Sequence, residues 1–286
     1  MSRRGEAGVV LVTILVVMAL CVAVIVAMTT QSENATRATG RNLDAGQARA
    51  LIAAGEASAI SALLQDMQTA PDADGPTEAW AKIAQSDTAI LGGHFQLAIR
   101  DEAARFNLNT LTKGSLASRQ NLLSVVQAAG LPPEVAARIA ASLKGGKLLL
   151  AIQDLAVRAG LSDAELAVLE GLVTATADLN SGVNINTAPE ALLLALLHNP
   201  DTADRIVTRR KTDLITPAVL NDMGIILPAG LTLTSGVFSV AIRASSGEAS
   251  VTVDAIIHRW RDKAGRVYAT VTARKLSGGC CQVKPT

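Results

Sequence analysis

The chain has 286 residues and a formal net charge of +1, is 49% apolar and 18% charged, and carries three Phe, two Trp and one Tyr. That is too apolar for a disordered polypeptide, too neutral for binding nucleic acid by charge alone, and long enough to bury one or two cores. Cys21, Cys280 and Cys281 form no C-x-x-C, and His94, His198 and His258 are scattered, so neither a disulfide scaffold nor a thiolate or histidine metal centre is expected.

Residues Val9 to Met28 form an uncharged run of 20 residues. At about 1.5 Å per residue that matches the ~30 Å hydrocarbon core of a bilayer. Arg3 and Arg4 precede the run and the polar stretch TTQSENATRATGR follows it, which places the N-terminus in the cytoplasm and the rest of the chain beyond the inner membrane. A secretory signal has a shorter apolar stretch and a small-residue cleavage site after it, and neither is found. Instead an eight-residue leader, MSRRGEAG, ends in Gly8 directly against the apolar run.

That arrangement resembles type IV pilins and type II secretion pseudopilins. The resemblance implies cleavage by prepilin peptidase between Gly8 and Val9, and N-methylation of Val9. A cut after Gly5 would leave Glu6 as the new terminus beside the bilayer core. Most relatives carry glutamate at the fifth mature position, where this chain has Thr13. A carboxylate within the bilayer costs about 2.5–3.5 kcal/mol unless paired, and in the family its partner is the terminal amine of the subunit ahead. A subunit that begins a fibre has none ahead. In lacking the acid the chain resembles the minor pseudopilin K family of the type II (general) secretion pathway, thought to cap the tip. For a plain single-pass anchor, the competing reading, Thr13 has no meaning.

Leu43, Leu51, Ile52, Ile60, Leu63, Leu64 and Met67 recur near the helical period, so one helix is predicted over 9–70, with 9–28 in the membrane and 1–8 as leader. TAPDADGP then supplies a loop. Asp72, Asp74 and Glu78 hint at calcium, but Pro76 stands where an EF-hand loop needs a third oxygen ligand, so they are read as solvated loop residues. His94–Arg100 alternates as a strand, as do the segments around Phe238–Ile242, Val251–Ile257 and Val267–Val271, an antiparallel meander with RDKAGR between the last two. His258 and Trp260 read as strand-end packing.

Between the strand groups lies a helical block. Ser162 with Glu165, and Thr187 with Glu190 and Pro189, fit capping boxes, and Gly130 and Gly160 fit helix stops. The predicted fold is therefore α+β, with a long N-terminal helix on an antiparallel sheet (71–109 and 232–276), an inserted all-helical domain (110–231) and a tail (277–286). Two internal segments, ARFNLNTL at 104–111 and GVNINTAPEALLLALL at 182–197 followed by DTADRIVTRRK, resemble the K family's GRFNLN-type and VNVNTA stretches, in that family's order. The resemblance implies a pilin-like fold and partners among I- and J-type minor pseudopilins and the major pseudopilin.

NINTAPEALLLALL also resembles helix-hairpin-helix DNA-binding modules. Those bind phosphate through backbone amides in a glycine-containing hairpin; here the hairpin reads HNPDTAD, with aspartates and no glycine. Arg205, Arg209, Arg210 and Lys211 read as a solvated helix face, and no nucleic acid is expected. K pseudopilins carry an acidic insertion resembling a calcium site, whereas ARIAASLKGGKLLLAIQDL is short and basic, so no calcium ligand carries over and no cofactor is expected. Asp154 and Asp178 read as a helix-surface and an inter-helix loop residue. No G-x-S-x-G, H-E-x-x-H, phosphate loop or G-x-G-x-x-G occurs, adjacent Asp101 and Glu102 would face opposite sides of a strand, and His198, near Asn199 and Asp201, fits a helix end, so no enzyme is expected. Cys280 and Cys281 could pair together or with another chain, or stay as thiols; Cys21 reads as a small helix residue in the apolar run. A type IV pilus minor pilin shares the leader and stays as an alternative.

Overall fold

A computed structural model describes residues 3–83, 85–90 and 93–276. Helix α1, Arg3–Thr69, is 67 residues long, about 100 Å at the helical rise. No proline interrupts it, and Pro71 ends it by forcing the preceding residue out of helical geometry. A short helix α2, Ala79–Lys82, follows. Strands β1, Gln85–Ile90, and β2, Gly93–Asp101, come next. After a 3₁₀ turn at Glu102–Ala104 the chain enters the helical region through β3, Phe106–Asn107. That region holds α3 (Leu116–Ala128), α4 (Pro133–Ser142), α5 (Asp154–Arg158), α6 (Asp163–Leu169), β4 (Val173–Thr174), β5 (Val183–Asn184), α7 (Glu190–Leu197), α8 (Pro200–Arg209), α9 (Pro217–Met223) and β6 (Leu231–Thr232). The chain then returns to the sheet through β7 (Val237–Ser246), β8 (Ala249–Arg261) and β9 (Val267–Leu276).

The sheet runs β1-β2-β7-β8-β9, antiparallel throughout, so the two strands before the helical region lie directly beside the three after it. The α+β fold expected from the sequence is the one observed. β1 was not foreseen; QSDTAI lacks the two-residue alternation that betrays its neighbours. Gly247, at φ +51°, makes the tight turn between β7 and β8, and Asp44 of α1 accepts the next N–H, Glu248, at 3.3 Å.

Two cores form. One lies between α1 and the sheet, where Phe238, Val240 and Ile242 of β7 and Val251, Val253, Ala255 and Ile257 of β8 meet Ala48, Ile52, Ala59 and Leu63 of α1. The other fills the helical region. The stripe that α1 buries includes Ala45, Ala48 and Ala59 beside Ile52 and Leu63, with Gly55 against Phe95 and Ile242 of the sheet; Leu43, expected on that stripe, is 68% exposed. Leucine periodicity misled here because small residues, which carry little hydrophobic signal, are what lets the helix lie close. A Cβ on Gly55 would stand 2.7 Å from the Phe95 ring and 3.1 Å from Ile242. Gly55→Leu is expected to lower stability by about 1–3 kcal/mol, the usual cost of overpacking, as read from the denaturation midpoint of the full-length protein in detergent.

Helix ends in the helical region follow local chemistry. Ser162 and Glu165 form the expected capping box, with the Ser162 N–H donating to Glu165 at 2.7 Å, and Gly130 and Gly160 stop their helices at φ +71° and +61°. The second box is a correction. Thr187 caps nothing, because α7 starts after Pro189 and the Thr187 hydroxyl donates to Asp101 at 2.5 Å. The hydroxyl serves as a donor to a buried carboxylate instead of as an acceptor for helix amides.

Candidate functional site

The first functional feature is the unpartnered part of α1. From Val12 to Met28 its large apolar side chains are exposed, from 51% at Ile14 to 66% at Met28. The stretch has a mean hydropathy of 2.9 and none of it is buried against the body. Exposure of so much contiguous apolar surface is stable only against lipid or another apolar helix. Gly8, Val9 and Thr13 all lie within α1, and Cys21 is exposed on it. Beyond Met28 the helix turns polar while still free of the body. Thr29, Thr36 and Thr39 donate their hydroxyls to carbonyls one turn back at 2.9–3.0 Å, which satisfies these side chains within the helix.

The second is the junction that holds the end of α1. Arg259 of β8, 2% exposed, donates Nη1 to the Leu63 carbonyl at 3.0 Å and to Asp66 Oδ2 at 2.8 Å, and Nη2 to Asp74 Oδ1 at 2.5 Å and the Ser235 carbonyl at 3.0 Å. Its guanidinium also lies over the Phe238 ring, 4.8 Å from the centroid, a cation–π contact. Asp74 Oδ2 accepts the Ser235 N–H at 2.6 Å. Glu78 Oε2 accepts Gly75 N–H at 2.7 Å and Trp80 Nε1–H at 3.1 Å. One guanidinium thus ties together the end of α1, the loop after it, β8 and the return from the helical region. Asp74 and Glu78 are accordingly corrected from solvated loop residues to buried and half-buried partners, while Asp72 is exposed.

Burial, the largest influence, pushes the Asp66 carboxyl up to about 7 against the pull of Arg259, with Asp74 and Glu78 adding to the rise. Burial likewise raises Glu78. Asp66, Asp74 and Glu78 place oxygens within 4.8 Å of one another, so the set is the place to test for the calcium that the loop acids Asp72, Asp74 and Glu78 hint at. It does not fit. Arg259 already fills the position of the cation, and both Asp74 oxygens and one of Glu78 are engaged by protein donors.

A third network fastens the helical region to the sheet. Asp101, at the end of β2, accepts from Ala103 N–H at 2.8 Å, Ser235 Oγ at 2.7 Å, Asn184 Nδ2 at 3.2 Å and Thr187 Oγ1. Burial pushes its carboxyl up to about 6, with those hydrogen bonds pulling the other way. Asn184, fully buried, also donates to the Asp74 carbonyl at 3.0 Å and to Ser235 Oγ at 2.9 Å. Glu102 faces a separate set, Arg105 and Thr174 at 2.6 Å each. The adjacent acids indeed form no pair.

The two motifs FNLNT and VNINT build the same device. In each, the first Asn ends a two-residue strand in a parallel bridge, β3 to β4 and β5 to β6. The second Asn clamps both backbone groups of one remote residue: Asn109 holds Leu149 at 2.8 and 3.0 Å, and Asn186 holds Ile215 at 2.9 and 3.0 Å. The helical region is therefore a tandem of two similarly stapled units.

The remaining residues singled out by sequence lie apart. The left-handed position after α7 is taken by His198, φ 53°, where a DNA-binding hairpin has glycine. Of the basic run, Arg205, Arg209 and Lys211 are exposed, as a solvated face requires, with Arg205 reaching the Met223 carbonyl at 2.6 Å and Arg209 paired with Asp213 at 3.2 Å. Arg210 is the correction: it is half-buried and donates to the Ile185 and Ala188 carbonyls at 2.9 and 2.6 Å. His258 stacks on Trp260, and Trp260 on Tyr268, at centroid distances of 5.2 and 5.4 Å. Asp178 lies 3.9 Å from His258, and Asp154 accepts the Leu150 N–H at 2.9 Å. Cys280 and Cys281 fall outside the described residues. Arg259 is the residue that sequence reasoning missed. The signal was its parity, since it continues inward the register of Val251, Val253, Ala255 and Ile257.

With this geometry in hand, comparison with known proteins is informative. No family model matches the chain. Over 116 residues, 39% of the chain, it is 32% identical to the type II secretion system protein K of Pseudomonas aeruginosa, and the match spans 35% of that protein's length. A solved structure, the GspK-GspI-GspJ complex from the type 2 secretion system of enterotoxigenic Escherichia coli, has a similar chain. The likeness has a TM-score of 0.63 at 18% identity and covers 84% of this chain and 99% of that one. The similarity to the K family read from the leader, Thr13 and the paired asparagine motifs is thus borne out by sequence, and the fold by structure.

Proposed function

We propose that this chain is a minor pseudopilin of a type II secretion system. It sits in the inner membrane through Val9–Met28, with its N-terminus cytoplasmic and its body in the periplasm. It initiates and caps the pseudopilus with I- and J-type minor pseudopilins, atop the major pseudopilin, for export of folded proteins across the outer membrane. Prepilin peptidase cuts after Gly8 and Val9 becomes the methylated terminus. The work is assembly rather than chemistry. The observation that carries the reading is the bare apolar stretch of α1, continuous with a helix seated on a sheet and lacking an acid at Thr13. The likeness to a chain of a GspK-GspI-GspJ complex supports the choice of partners, and Arg3 and Arg4 support the orientation.

Mass spectrometry of the membrane-extracted protein, coexpressed with prepilin peptidase, is expected to find Met1–Gly8 removed and Val9 methylated; an intact Met1 terminus overturns the reading. Thr13→Glu is expected to impair secretion or move the subunit from the tip, because a founding subunit offers no amine to that carboxylate. Unchanged secretion with unchanged tip labelling would show that the missing acid does not govern capping. The DNA-binding alternative is disfavoured by the glycine-free hairpin and the committed arginines, and a salt-sensitive duplex complex would restore it. Co-purified partners separate a secretion system from a type IV pilus.

A further inference from the structure

The junction at the end of α1 buries more negative than positive charge. Asp66 comes from α1, and Asp74 and Glu78 from the loop after it, and the cation among them is Arg259 of β8. Arg261, also of β8, reaches the Met67 carbonyl from the exposed side, Asp72 is exposed, and Asp101 of β2 faces Asp74 across Ser235. Two buried carboxylates, Asp66 and Asp74, with half-buried Glu78 beside them, exceed the single buried guanidinium in charge, which is unfavourable unless a proton or cation is taken up. Asp66 and Asp74 converge on the two Nη atoms of Arg259, and their carboxylates bring oxygens within 4.8 Å of each other.

We propose that the Asp66 and Asp74 carboxyl groups share a single proton, and that its loss to solvent loosens the clamp between the end of α1, the loop at 70–78 and β8. The seating of the long helix on the body is then set by the pH of its surroundings. The sign follows from burial. Asp66 is raised from 3.8 to about 7 in the closed junction, so the closed form binds more protons than an open form with an ordinary carboxyl. The clamp is tightest below the ordinary value and weakens as pH rises towards 7, by about tenfold in the opening equilibrium per pH unit, with little change beyond. Opening of this kind is a local event, short of global unfolding.

The test uses the full-length chain in detergent. Infrared spectra are expected to show a protonated carboxyl band that titrates away between pH 6 and 8. The component with its midpoint near pH 7 is expected to vanish in Asp66→Asn, to move to lower pH in Asp74→Asn, where burial persists but the neighbouring carboxylate is gone, and to persist in Asp101→Asn, whose carboxyl titrates near 6. Proteolytic nicking within 70–78, divided by the rate for Asp66→Asn at the same pH, is expected to rise about tenfold per unit from pH 5 to 7 and then level off. A wild-type band absent throughout, or one whose midpoint is unchanged in both the Asp66 and Asp74 variants, overturns the proposal. So does a flat nicking ratio, or a calcium titration that abolishes the band, which would make the missing partner a metal ion. Either amide variant suffices if the other fails to fold.

Discussion

Arg259→Met is expected to destabilise the protein by about 3–5 kcal/mol, the range for removing one partner of a buried ion pair. Arg259 satisfies four acceptors at once: the Leu63 and Ser235 carbonyls and the Asp66 and Asp74 carboxylates. Without it those oxygens stay buried beside one another, with no cation among them. Methionine restores the volume but none of the donors, so the loss reports electrostatics and hydrogen bonding rather than a cavity. The deficit should shrink towards acid pH, because protonating Asp66, whose carboxyl is already raised to about 7, removes the need for a counter-charge. Arg259→Lys should recover only part of the loss, since an ammonium on a flexible stem cannot span the fork that reaches both carboxylates. Denaturant titrations of the three proteins at pH 5 and pH 7.5 decide the matter. A loss under about 1 kcal/mol at neutral pH, the range of an exposed pair, would mean that the junction does not carry the energy assigned to it.

Asn184→Ala is expected to loosen the attachment of the helical region to the sheet. Asn184 is fully buried and joins the Asp74 carbonyl, Asp101 and Ser235, while its own carbonyl accepts the Asn186 N–H at 3.0 Å. Each buried group left without a partner costs about 1–3 kcal/mol, and this substitution strips several. The effect should be directional. Asn109→Ala, which removes the clamp of the first unit, frees Leu149 and the Thr176 carbonyl inside the helical region and should leave the sheet undisturbed. Hydrogen exchange resolves the two cases. Asn184→Ala should raise exchange at 70–78 and 231–238 as well as in α7, whereas Asn109→Ala should raise it around 143–158 and 174–178, within the helical region. Matching profiles would refute the division of labour between the two staples.

Much of this molecule was legible in its chain. The apolar run, the alternation of Val251, Val253, Ala255 and Ile257, and the Ser162–Glu165 box depend on neighbours within a few residues, where physical rules are strong. They sufficed for the membrane-length helix, the meander and the α+β class, and the leader with Thr13 and the asparagine motifs sufficed for the family resemblance. Errors arose where a side chain's partner lies far along the chain. Thr187 satisfies local capping rules yet bonds Asp101, 86 residues away. Arg210 belongs to a basic run yet serves the carbonyls of Ile185 and Ala188.

The sequence alone determined the long helix, the strands β2, β7, β8 and β9, and which stretch of α1 is left for lipid or a neighbouring helix, because hydrophobic period and run length are properties of the chain itself. Only the tertiary structure decided that Asp66, Asp74 and Glu78 meet around Arg259 and that Asn184 bridges sheet and helical region. Those arrangements join residues up to 193 positions apart, and burial, which sets their charge states, exists only once the elements have packed.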